Sequence, residues 1–112
     1  MDYSILIVEP DVERGKDTGR LLIQSGYDAL ITAHADDALR RLYQAQPDAV
    51  VLSNRLTASD MDRLSHAITT MTDLPLIELN DGHSLVLVAQ RLTRSTEMAE
   101  LVETLNELLR TT

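Results

Sequence analysis

Residues 5–30 read ILIVEPDVERGKDTGRLLIQSGYDAL, and this stretch decides the fold. Residues 5–8 are an unbroken apolar run, suited to a strand buried on both faces. The run stops at Glu9-Pro10-Asp11, and a segment of helical period follows with Thr18, Leu21 and Leu22 turned inward. Asp11 is placed to cap that helix, and Gly26 to end it just after Ser25 in a left-handed conformation. "YDALIT" (27–32) then reads as a second strand nearer an edge. Strand, helix and strand in this order is the βα rhythm of an α/β sheet. The acidic residues at the end of the first strand ask for a purpose, because an unpaired buried carboxylate is costly.

The rhythm continues outward from this unit. Asp36 or Asp37 can cap a second helix whose apolar stripe is Ala38, Leu39, Leu42 and Tyr43, with Pro47 at its exit. "DAVVLS" (48–53) is the most strand-like run in the chain. From Ser59 the spacing of Met61, Leu64, Ile68 and Met71 predicts a third helix, and "LPLIEL" (74–79) a fourth strand. Only "NDGH" (80–83) separates that strand from "SLVLVAQRL" (84–92), too little for a parallel crossover. If 85–90 is a strand, it pairs antiparallel with the fourth, with Asp81-Gly82 in the turn. A helix is the rival reading, since Leu85, Val88, Ala89 and Leu92 also have helical spacing. The last helix starts near Ser95 or Thr96 and carries Met98, Leu101, Val102, Leu105, Leu108 and Leu109.

Composition narrows the function. The 112 residues suit one domain, and with 3% aromatics and no Phe or Trp its core must be aliphatic. A net charge of -8 argues against direct contact with nucleic acid, which needs a positive footprint. The absence of Cys excludes disulfides, thiol catalysis and thiolate metal sites. No apolar run approaches the ~20 residues that span a bilayer, and "MDYSILIVEPD" lacks a basic leader, so a cytoplasmic protein with no membrane contact is expected.

Taken together, "ILIVEPD", "SGYDALITAHADDALRRLYQAQPDAVVLS", "MDRLSHAI" and "LPLIELN" resemble, in order and spacing, a response-regulator receiver domain. The likeness covers about residues 4–80 and the last helix. It implies a flavodoxin-like parallel sheet with flanking helices. The fourth helix is absent or much shortened here, and the last strand is antiparallel if 85–90 forms it. Phosphotransfer in that family uses an acidic pair after the first strand to hold Mg²⁺ and an Asp at the end of the third strand as nucleophile. A hydroxyl after the fourth strand and a Lys after the fifth engage the phosphoryl group. In this sequence Glu9 falls at one acidic position, Pro10 at the other and Asp11 one residue late. Ser53 takes the nucleophile position, Asn80 the hydroxyl position, and Arg94 is the nearest basic residue for the Lys. The resemblance therefore implies a kept architecture with altered chemistry, of the pseudo-receiver type.

Plain structural roles also suit these residues. Asp11 serves as an N-cap and Glu9 as a solvated residue at the sheet's mouth, in preference to a cation site. Ser53 ends a strand with its hydroxyl bonded to nearby backbone. His34, His66 and His83 lie on different elements, no phosphate-binding glycine fingerprint occurs, and Met61, Met71 and Met98 fill core. Arg40-Arg41 is a solvated helix face. The expectation is a non-enzymatic receiver-like regulatory domain, without cofactor or metal, working by protein–protein contact independently of phosphorylation. It is expected to stand alone or to be the N-terminal domain of a longer regulator. The alternative is a small-molecule sensor or residual enzyme using the crevice at the carboxyl ends of the strands. Leu85, Val86, Leu87 and Val88, apolar on both faces, are the expected contact surface for a partner or a second copy.

Overall fold

A computed structural model describes residues 3–71, 74–80 and 94–110, and the backbone alone at Met71 and 94–97. The elements are β1 (Ser4–Val8), α1 (Val12–Gln24), β2 (Asp28–Thr32), α2 (Ala35–Ala45), β3 (Ala49–Ser53), α3 (Ala58–Met71), β4 (Leu76–Asn80) and β5 (Arg94–Glu97). A 3₁₀ turn (Met98–Glu100) leads into α4 (Leu101–Leu109). The strands form one sheet in the order β2-β1-β3-β4-β5, and every pair is parallel.

Alternation along the strands sorts the core into two layers. Leu6, Val8, Val50, Leu52 and Leu76 meet Ala38, Leu42, Leu64 and Ile68 of α2 and α3. Ile5, Ile7, Val51, Ile77 and Leu79 meet Leu22 of α1 and Leu101 and Leu105 of α4. β1 and β3 are thus covered on both faces, as their unbroken apolar runs require. The expected inward stripe of α1 is seen at Thr18 and Leu22, both buried, while Leu21 is half-buried. The α1 end behaves as its sequence asks: Gly26 has φ 92°, and its N–H donates to the carbonyl of Ile23 at 3.1 Å. Gly19 is buried against β2, where an added Cβ would require the flexible end of the Ile31 side chain to shift.

Two expectations are corrected at helix starts. The N-cap of α2 is His34, with no capping bond from its side chain, and Asp36 and Asp37 fall inside the first turn. Asp37 instead accepts from the Thr32 hydroxyl at 2.7 Å, from Arg41 Nε at 2.8 Å and from Arg40. Those contacts, Arg41 first, hold its carboxyl well below the usual range. Ser95 and Thr96, expected to start the last helix, lie in β5, level with Glu78 and Leu79 of β4. Pairing with β4 gives their backbone groups partners. The strand beside β4 is parallel, and the interval 81–93 supplies the dozen residues such a connection needs. The hairpin or helix at 84–92, the missing fourth helix and the surface at Leu85, Val86, Leu87 and Val88 lie outside the described residues, as does His83.

Candidate functional site

In an open parallel sheet with this strand order, ligand crevices lie outside the carboxyl ends of the strands, at the reversal between β1 and β3. The residues singled out from sequence converge there. β1 continues one residue past its end, where the Glu9 N–H donates to the Thr32 carbonyl at 2.9 Å. Pro10 donates no hydrogen bond and stands exposed. Asp11 then turns the chain into α1, accepting from the Arg14 N–H at 3.2 Å through Oδ1.

Glu9 is fully buried, which corrects the expectation of a solvated side chain. Its burial has two compensations. Oε2 accepts from the Asp11 N–H at 3.1 Å, and Oε1 faces Arg14 Nε at 3.0 Å. This second contact is a charge contact without an aligned N–H···O bond, and neither atom has a further hydrogen-bond partner. The other arm of the guanidinium donates from Nη2 to the Asn80 carbonyl at 3.3 Å. Arg14 therefore joins the carboxyl ends of β1 and β4.

Asp11 is held from a second side by Arg55 Nη1, 3.3 Å from Oδ2. Arg55 comes from the loop after β3, and its own N–H donates to Ser53 Oγ at 3.1 Å. Ser53 is buried and spends its hydroxyl on nearby backbone, as its sequence position suggests. All four carboxylate oxygens of Glu9 and Asp11 thus have protein partners. Beside this cluster is a cavity of about 430 Å³ lined by Pro10, His34, Leu56, Thr57, Arg55 and Arg63, among others. Its cations are engaged: Arg63 lies 2.9 Å from Asp36 and 3.3 Å from Asp60.

The backbone of Arg94 is set back from this mouth. It opens β5 level with Ile77, whereas Glu97 is the β5 residue level with Asn80. Three strand residues, about 10 Å, separate Arg94 from the mouth. Among the described side chains, the basic groups that reach the acidic residues are Arg14 and Arg55, neither of which the sequence reading singled out. One signal for Arg14 existed: it lies on the i, i+4, i+8 row with Thr18 and Leu22, both buried. Arg55 sits in a loop and had none.

No family model matches the chain. No curated protein matches it either. Solved structures do. The receiver domain of RstA from Klebsiella pneumoniae superposes with a TM-score of 0.84 at 22% identity, over 96% of this chain and 99% of that one. A response regulator receiver protein from Burkholderia phymatum gives 0.83 at 17%, over 99% and 98%. The chemotaxis response regulator CheY4 of Vibrio cholerae gives 0.81 at 16%, over 97% and 100%. The fold is the receiver fold.

Within the receiver fold a divalent cation is implied at this mouth, so its fit can be tested. A hard dication takes several oxygen ligands, commonly carboxylates. Here the two carboxylates are each paired with an arginine, and the end of β3 offers a hydroxyl in place of a third. Among the described residues no group of three or more His, Cys, Asp or Glu is gathered to hold a metal. The residues as arranged do not fit the ion. Among them too, no helix is long and apolar enough to cross a membrane.

Proposed function

We propose that this chain is a receiver-like signalling domain that acts without phosphorylation and without catalysis, through contact with a protein partner or a second copy of itself. The observation that carries the reading is Ser53. A neutral hydroxyl, buried and already bonded to the Arg55 N–H, stands where the resemblance calls for a carboxylate nucleophile. A serine hydroxyl needs an adjacent base to attack a phosphoryl group. Among the described residues its hydroxyl is bonded to a backbone donor, the Arg55 N–H, and not to a base. The small-molecule alternative draws on the 430 Å³ cavity, but its arginines are committed to Asp11, Asp36 and Asp60.

Intact-mass spectrometry after incubation with acetyl phosphate and Mg²⁺ tests the reading. The mass is expected to stay unchanged; a stoichiometric gain of about 80 Da, one phosphoryl group, overturns it. Ser53→Asp is expected to remain unlabelled as well, because Pro10 stays in place and Arg14 and Arg55 still neutralise the acids. Light scattering on wild type and Leu87→Lys addresses the partner. Loss of a wild-type dimer in a folded variant supports self-association; a monomeric wild type leaves a different protein as the partner.

A further inference from the structure

The misfit between the mouth and a divalent cation has a specific form: the place is taken. We propose that Arg14 is the resident cation of this domain, a covalently tethered guanidinium that does permanently what a soluble ion would do reversibly. The inference rests on the phosphorylation-independent reading and names how that independence is built. Glu9 is fully buried and must be neutralised from within reach. Arg14, with only 18% of its side chain exposed, places Nε 3.0 Å from that carboxylate and Nη2 3.3 Å from the Asn80 carbonyl. A carboxylate oxygen and a backbone carbonyl oxygen, drawn together from two strand ends, are the donor types that a hard cation gathers. Two local features bring the guanidinium in. Asp11 starts α1 so that position 14 follows one turn later, and the inward row continues through Thr18 and Leu22.

A guanidinium keeps its charge across the physiological range and cannot diffuse away. The tie between β1 and β4 is therefore constitutive. The strand ends of β1 and β4 are held in one arrangement whatever the metal or phosphodonor concentration.

Thermal unfolding of the full chain, in EDTA, in MgCl₂ and in NaCl of matched ionic strength, tests this. Four proteins are compared: wild type, Arg14→Met, Arg14→Gln and the double variant Glu9→Gln/Arg14→Met. Loss of the charge beside buried Glu9 is expected to lower Tm by roughly 10 °C or more in both single variants. Mg²⁺ at ten times its Kd is expected to raise their Tm by about 5 °C beyond the NaCl control. Wild type and the double variant are expected to be indifferent to Mg²⁺. Arg14→Gln keeps a neutral N–H donor where Nε faces Glu9, so it decides the matter where Arg14→Met fails to fold. A folded Arg14→Gln that Mg²⁺ does not stabilise overturns the proposal. So does a wild type or a double variant stabilised as much as the single variants. No phosphodonor enters this experiment, so its failure is distinguishable from labelling of the wild type by acetyl phosphate.

Discussion

The two ends of the sheet are closed by different chemistry. At the amino end the Tyr27 hydroxyl donates to Asn106 Oδ1 at 2.5 Å, and the Arg110 guanidinium lies 4.5 Å over its ring. Tyr3 stacks obliquely at 6.5 Å, and the Ser4 N–H donates to Asp48. The Tyr27 ring is buried, so most of the closure is apolar. At the carboxyl end the closure is ionic: Glu9 with Arg14, Asp11 with Arg55. Both ends tie a helix to strands, and the amino end does so without a buried carboxylate. A buried ion pair is a poor way merely to gain stability, because desolvation of both charges offsets their attraction. The difference places the unusual chemistry at the end where such sheets carry function.

The comparison can be broken at either end. The largest effect is expected from Tyr27→Ala, which should cost about 3–5 kcal/mol in urea unfolding through loss of a buried ring. Tyr27→Phe keeps the ring and loses the bond to Asn106, at about 1 kcal/mol. If the two variants were equally damaging, the amino end would be polar in character and the contrast would fail. A pH series sharpens this point. Burial, opposed by Arg110, pushes the Tyr27 hydroxyl above its ordinary value, so folding favours the neutral form. That contribution is present below the ordinary tyrosine pKa of ~10 and is lost as pH rises through the folded value; Tyr27→Phe should remove the loss.

At the carboxyl end Arg55→Gln is expected to cost under ~1 kcal/mol, since both partners are about two-fifths exposed, and the cost should shrink in NaCl. The smallest effect is at Asp37. Its depressed folded pKa gives stability that is present above the ordinary carboxylate range and lost as pH falls below it. Asp37→Asn should therefore be the less stable protein near neutrality and match wild type in acid, as thermal scans across pH would report.

Much of the fold was legible because its signals are local. The apolar run of β1, the Asp11 cap, the Gly26 stop and the all-apolar β3 are each decided within a few residues. Ser53's bond to the Arg55 N–H is local in the same way, spanning two positions. What was missed is non-local. β5 exists through its ladder to β4, and short polar "RSTE" carries no strand pattern of its own. Glu9 looked solvated because its burial depends on a helix residue five positions on and on the end of β4. Arg94 was matched to the mouth by counting along the chain, and only the β4–β5 register fixes where it falls.

The strand order also sets a schedule. β1 is made first yet sits between β2 and β3, and its bond across to Asp48 spans 44 positions. Closing that loop carries an entropic penalty before any contact repays it. The first βαβ unit can assemble while later residues are still emerging, with β1 presenting an open edge until β3 arrives. The Arg14–Asn80 contact spans 66 positions and cannot exist before β4 has docked. It belongs to the final stage of assembly, so weakening it should hasten unfolding while leaving the rate of folding almost untouched.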